Sequence, residues 1–306
     1  MVLETLPHGA RVLIIRLRSL GDCVLTTPAL EILRDYRNDL RVGIVVEDRF
    51  AEVFAGNPNQ YEILPPKLGA AARWGANLAL NLHGGTRSMQ LTALARAEWR
   101  AGFTHFRGAW LYNVKIPRAQ EILGVDRKVH TAEHLASAMF YLGAPRREIP
   151  RARIYVEEQP AQPPYAVIHP FASSLEKTWP AEKFLELAAG LQAEQGLAPV
   201  FLGSAGDEWR PFAGLRCLRG APLAKVKTLL SGASLFVGND SGPAHMAAAF
   251  DVPVVVLFSA SDPVVWAPWK ARAEVIADTE SIARIGVSRV LRAATGLLRQ
   301  SEKVAG

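Results

Sequence analysis

Cysteine is almost missing from this chain. Cys23 and Cys217 are the only two in 306 residues, too few for a disulfide framework or a four-ligand zinc site. Both sit in apolar surroundings that suit reduced thiols. No apolar run approaches the eighteen or more residues needed to span a bilayer. The apolar run at residues 12–17 is interrupted by Arg16 and followed by Arg18, where a secretory segment needs an unbroken core. A cytoplasmic protein is therefore expected. Motifs of several enzyme classes are missing too. There is no phosphate loop ending in Gly-Lys-Ser/Thr, and Gly203-Ser204-Ala205-Gly206 lacks the spacing of a dinucleotide fingerprint. No Gly-x-Ser-x-Gly elbow appears, and His83, His169 and His245 are not at metal-ligand spacing. Serine hydrolysis and metal catalysis recede, and no metal site is expected.

The composition is globular, with 49% hydrophobic residues. Its length exceeds the usual single core, so two domains are expected. The net charge of +6 is unevenly distributed: residues 1–156 carry 21 Lys and Arg against 14 Asp and Glu, and the remainder 14 against 15. An anionic partner for the first half would explain this, and so would an arginine-rich composition with no function attached. Nucleic acid fits poorly, because the basic residues are dispersed and form no recognised binding motif.

Strands alternate with helices throughout, which predicts parallel sheets covered on both faces. Residues 11–17 read as a buried strand, followed by the turn Arg18-Ser19-Leu20-Gly21-Asp22 and a helix over 23–36. Further strands are expected at 41–46 and 78–82, a helix beginning at 49–54, a helix from 88 to about 97 after the turn at 83–88, and an amphipathic helix at 130–142. The pattern lapses at 144–164, a Pro-, Arg- and Glu-rich stretch ending in Gln159-Pro160-Ala161-Gln162-Pro163-Pro164, which marks the domain boundary. The alternation then restarts, with strands at 165–169, 199–203, 234–237 and 252–258 and helices at 181–195, 223–231 and from Pro243. The expected division is residues 1–156, residues 157–280, and a last helix at about 281–299 that returns to pack on the first domain.

Doubly wound sheets bind ligands beyond the carboxyl ends of their strands. The polar residues there are Arg18, Ser19, Gly21, Asp22 and residues 83–88 in the first half. In the second half they are residues 169–177, 203–208, 239–245 and 259–262. The two rims are expected to form a cleft. At 235–245 an apolar strand runs into Asn239-Asp240-Ser241-Gly242, and Pro243 opens an alanine-rich helix. Free first-turn N–H groups at such a point suit a phosphate, although an ordinary capped helix carries the same signals. Asp22 reads either as an N-cap or as a carboxylate placed to take a proton from a hydroxyl. Lys177, just before Trp179-Pro180, reads either as a solvated lysine or as a cation for a phosphate leaving group. Ser173 and Ser174 add hydroxyls or serve as turn residues.

Several motifs fit one family jointly. Arg11-Val-Leu-Ile-Ile-Arg-Leu-Arg-Ser-Leu-Gly-Asp22, with Thr26-Thr27-Pro28-Ala29-Leu30 behind it, resembles the start of the ADP-heptose:lipopolysaccharide heptosyltransferases, glycosyltransferase family 9. His169-Pro-Phe-Ala-Ser-Ser-Leu-Glu-Lys177-Thr-Trp-Pro180 and Gly238-Asn-Asp-Ser-Gly-Pro-Ala-His245 resemble that family's two donor-site motifs in the same order, and His130-Thr-Ala-Glu-His134 has a counterpart there. The resemblance covers nearly the whole chain.

The resemblance implies the α/β GT-B architecture: two Rossmann-like doubly wound domains, with the acceptor on the first and the nucleotide-sugar on the second. It implies inverting, metal-independent transfer of heptose from ADP-heptose, a substrate rather than a cofactor. The acceptor would be an anionic inner-core lipopolysaccharide at the inner face of the cytoplasmic membrane, where the enzyme would sit peripherally. Asp22 would be the general base. Ser173, Ser174 and Lys177 would meet the donor diphosphate. Asp240, Ser241, Gly242 and His245 would bind donor sugar and phosphate, and Asp207 or Glu208 the ribose. Arg16, Arg18, Lys67, Arg73 and Arg87 are candidate acceptor contacts, and activity should require domain closure. Departures are a short chain and a compact stretch at 65–77, which leave the acceptor open. Rival readings are another nucleotide-sugar or acceptor, a sugar-nucleotide 2-epimerase, or a binding protein without catalysis. The epimerase predicts a Gly-Thr-Arg-Pro-like turn where this chain has Ser19-Leu20-Gly21-Asp22.

Overall fold

The computed structural model describes residues 1–156 and 163–305, the last five by their backbone. Of the boundary stretch at 159–164, residues 159–162 lie outside them. The chain divides into two compact units, Met1–Tyr155 and Val156–Gly306.

The first unit has strands β1 (Arg11–Ile15), β2 (Arg41–Val45), β3 (Glu62–Leu64), β4 (Leu78–Asn81), β5 (Trp99–Phe103) and β6 (Val114–Ile116). They form one parallel sheet in the order β3-β2-β1-β4-β5-β6. Val12 to Ile15 are wholly buried, as a central strand covered by helices on both faces requires. Helices Leu20–Tyr36 and Thr131–Leu142 pack together, and Leu68–Trp74 packs on Thr86–Leu94.

The second unit repeats the plan with β7 (Tyr165–His169), β8 (Ala198–Gly203), β9 (Cys217–Arg219), β10 (Leu235–Asn239), β11 (Val254–Phe258) and β12 (Ala273–Ala277). Their order is β12-β11-β10-β7-β8-β9, again all parallel. Each sheet therefore reverses its winding once, between β1 and β4 in the first unit and between β7 and β10 in the second. A crevice beyond the strand ends at such a reversal is where doubly wound folds bind ligands.

Several expectations are corrected. The first long helix begins at Leu20, so Asp22 is its third residue and Ser19 its cap. Pro243 is the second residue of its helix rather than the first. Cys217 is exposed on a three-residue edge strand, not in apolar surroundings. The last helix is Val287–Ala305 rather than about 281–299. Its Val287, Val290, Ala294 and Leu297 are buried in the second core, so its apolar stripe is already covered there. Trp179 Nε1 donates to Ile285 O at 3.0 Å and Lys183 Nζ to Ala283 O at 2.7 Å, tying the preceding segment to the same unit. No helix among the described residues is long and apolar enough to cross a membrane.

Candidate active site

At the second unit's reversal, two segments leave the sheet side by side. Asn239 ends β10 and is wholly buried. Its Nδ2 donates to Pro170 O at 3.0 Å, and its Oδ1 accepts from Trp179 N at 3.1 Å. One side chain therefore holds both ends of the segment that carries Ser173, Ser174 and Lys177. Gly238 has no room for a side chain, since a Cβ there would stand 2.8 Å from His169 O; β10 and β7 approach closely because of it.

The helix Gly242–Ala249 starts from Ser241, and no side chain caps it. Its first N–H groups are left for a ligand. Ser241 Oγ is buried and has no hydrogen-bond partner among the described residues. Lys177 Nζ stands 3.6 Å from Asp240 Oδ2, which also accepts from Ser261 Oγ at 2.5 Å. Ser259 Oγ donates to Glu176 O at 2.5 Å, fastening the lysine's neighbour to the end of β11. Lys177, Asp240, Ser241 and Gly242 are thus brought together, with His245 buried in the first turn of the helix. Ser173 and Ser174 are exposed on the same segment. A free helix N-terminus, an unpartnered hydroxyl and a lysine suit an anion such as a diphosphate.

Asp207 and Glu208 separate here. Asp207 Oδ2 accepts from Ser204 N at 2.6 Å and lies near His169, whose imidazolium it favours against the dominant effect of burial. Glu208 is exposed and paired with Arg210 at 2.8 Å. Asp207 therefore faces the reversal and Glu208 the solvent. Both nevertheless line, with Trp209, Arg210, Phe212 and Arg219, an open depression of about 450 Å³.

In the first unit Asp22 Oδ2 accepts from Ser19 N at 3.2 Å and from Ser19 Oγ at 3.1 Å. Its Oδ1 faces Arg16 Nη1 at 3.4 Å, and its side chain is 22% exposed. Across the reversal, wholly buried Asn81 ends β4. It donates to Tyr112 Oη at 2.8 Å and Ser88 Oγ at 3.1 Å, and accepts from His83 N and Gly84 N. Burial and then Arg16 hold His83 below the usual histidine range, with Asp22 opposing. Arg18 also acts on His83, so Arg16, Arg18, Asp22 and His83 gather at one place. Lys67 and Arg87 are exposed neighbours, Arg87 Nη2 donating to Pro66 O at 2.8 Å. Arg73 is not brought to this group. It precedes Trp74, whose carbonyl accepts from Arg11 Nη1 at 2.6 Å at the opposite end of β1.

The sequence placed His83, Asn239, Ser259 and Ser261 on the binding rims without individual roles and did not single out Asn81. The asparagines had a signal: each is a polar last residue on an otherwise apolar central strand. No group of three or more metal-ligating side chains occurs among the described residues.

Two successive units of the same winding, each gathering its polar residues at the reversal, form the fold of the GT-B glycosyltransferases, and the chain is a glycosyltransferase. The model of glycosyltransferase family 9 (heptosyltransferase) matches residues 69–287, and the chain belongs to that family. It is 28% identical over 290 residues to lipopolysaccharide heptosyltransferase 1 of Pseudomonas aeruginosa, covering 83% of this chain and 79% of that one. Its fold matches a family 9 glycosyl transferase from Veillonella parvula with a TM-score of 0.83 at 22% identity, over 98% and 99% of the two chains. It also matches E. coli heptosyltransferase WaaC with ADP, with a TM-score of 0.82 at 20% identity over 94% and 99%.

Proposed function

We propose that this enzyme transfers heptose from ADP-heptose to a hydroxyl of an anionic lipopolysaccharide inner core, with inversion and without a metal. The observation that carries the donor half is the anion cradle at the end of β10, where Ser241 Oγ is buried without a partner and Lys177 lies beside the uncapped helix start. The family relatives are named lipopolysaccharide heptosyltransferases, and WaaC has also been solved with ADP-2-deoxy-2-fluoro heptose.

In this reading the donor diphosphate lies on the first-turn N–H groups of the Gly242–Ala249 helix, with Lys177 neutralising charge as the leaving ADP forms. Ser173, Ser174 and His245 complete its polar surroundings, Asp240 orients Lys177 and meets the sugar, and Asp207 rather than Glu208 meets the ribose. Asp22 takes the proton of the acceptor hydroxyl as its oxygen attacks the anomeric carbon and the bond to the diphosphate breaks. Attack on the face opposite the leaving group inverts that carbon. Arg18, Lys67 and Arg87, all exposed on the first unit, are the cations offered to the acceptor's phosphates and carboxylates. The enzyme would work in the cytoplasm, peripherally at the inner membrane face where such an acceptor is presented.

A thermal-shift panel of ADP-, UDP- and GDP-sugars tests the donor class. Stabilisation by ADP-sugars alone is expected; equal stabilisation by UDP- or GDP-sugars overturns it.

A further inference from the structure

Arg16 was expected to reach for the acceptor, and its placement argues for another task. It follows β1 directly and is only 5% exposed. Its Nε is buried with no hydrogen-bond partner among the described residues, and its Nη1 faces Asp22 at 3.4 Å. The next residue on the helix, Cys23, adds no charge, because burial pushes its thiol up to about 12. His83 and His134 also feel Arg16, and burial leads in holding both below the usual histidine range. Asp22 is thus the anion facing this guanidinium. A cation this deeply buried offers an incoming phosphate little of the fork with which arginine binds one.

The carboxylate itself is held from two sides. Ser19 binds Oδ2 through its N–H and hydroxyl, and Arg16 stands against Oδ1. Without Arg16 the Ser19 contacts would still anchor one oxygen, and the other would swing about that anchor. A base must meet its proton within hydrogen-bond reach and in line, so small misplacements are costly to the chemical step.

We propose that Arg16 is a positioning residue: it holds the Asp22 carboxylate toward the acceptor hydroxyl and makes no contact with the acceptor itself. This rests on the reading of Asp22 as general base.

The test uses the full chain, ADP-heptose and de-acylated lipopolysaccharide stripped of heptose, comparing wild type with Arg16→Met, Arg16→Lys and Asp22→Asn. Positioning predicts that Arg16→Met lowers kcat at least about tenfold while the acceptor KM changes less than about threefold. Arg16→Lys, which restores a cation beside Asp22, should recover most of the lost kcat. In the Asp22→Asn background, Arg16→Met should lower the residual rate little further, because the two residues act as one unit. ADP binding by calorimetry checks folding, and if Arg16→Met fails that check Arg16→Lys alone decides by its KM. A rise of about tenfold in acceptor KM with kcat retained, in either variant, overturns the proposal and makes Arg16 an acceptor contact. So does an unchanged kcat in Arg16→Met. If Asp22→Asn keeps full activity, the general-base reading fails first and this proposal with it; if Asp22→Asn is inactive and only KM moves in the Arg16 variants, this proposal alone fails.

Discussion

Replacing Asn239 by alanine should damage the second unit and its anion cradle together. The substitution removes both hydrogen bonds of a wholly buried amide and strands the Trp179 N–H and the Pro170 carbonyl. An unsatisfied buried group costs about 1–3 kcal/mol, so the pair amounts to about 2–6 kcal/mol. For a cooperative unit of about 150 residues, roughly 2–4 °C is lost per kcal/mol, which predicts a fall of about 4–24 °C in the transition that ADP raises. The segment bearing Lys177 is released at both ends, so ADP affinity should fall at least about tenfold. Asn239→Asp keeps an acceptor for Trp179 N but turns a carboxylate oxygen on Pro170 O, and should do no better. Calorimetric melting with and without ADP reads both effects. A melting point within about 2 °C of wild type, with ADP affinity unchanged, would refute the claim that this side chain organises the cradle.

Lys177→Ala should weaken ADP at least about tenfold without lowering the melting point much, because its pair with Asp240 is partly exposed; equal affinity by calorimetry would remove Lys177 from the site. His134 sets an acid limit on stability. Burial, then His105 and Arg16, lower it from 6.5 to about 4, so the unfolded chain takes the proton first. Stability contributed by neutral His134 is complete above about pH 6.5, declines as pH falls toward 4, and costs about 3 kcal/mol in all. His134→Leu, which keeps an apolar group against Phe103, should flatten urea-denaturation stability over that window; an unaltered slope would contradict it. Arg37 pairs with Asp39 at 2.7 Å and donates to the carbonyls of Leu3, Leu6 and Pro7, so Arg37→Ala should cost about 2–3 kcal/mol, read by urea denaturation.

The central strands were legible because burial on both faces writes an uninterrupted apolar run, as in Val12 to Ile15 and Val254 to Phe258. The three-residue edge strands Glu62–Leu64, Val114–Ile116 and Cys217–Arg219 were not, since a half-exposed strand of that length has no periodicity to read. The start of the Leu20–Tyr36 helix was misplaced because Gly21 looks like a turn residue, and this hid Asp22's position in its first turn. The donor-side cluster could be assembled from strand ends alone, because the topology delivers those ends to one edge. What pairing each side chain makes there was out of reach: Asp207 and Glu208 are neighbours in sequence but one is turned to His169 and the other to Arg210.

The most direct test of the proposed activity is mass spectrometry of heptose-deficient, de-acylated lipopolysaccharide incubated with ADP-heptose and the enzyme in excess chelator. The account predicts that wild type adds one heptose and that Asp22→Asn, with ADP affinity intact, adds almost none. Failure of wild type to transfer from ADP-heptose, or undiminished transfer by Asp22→Asn, would contradict it.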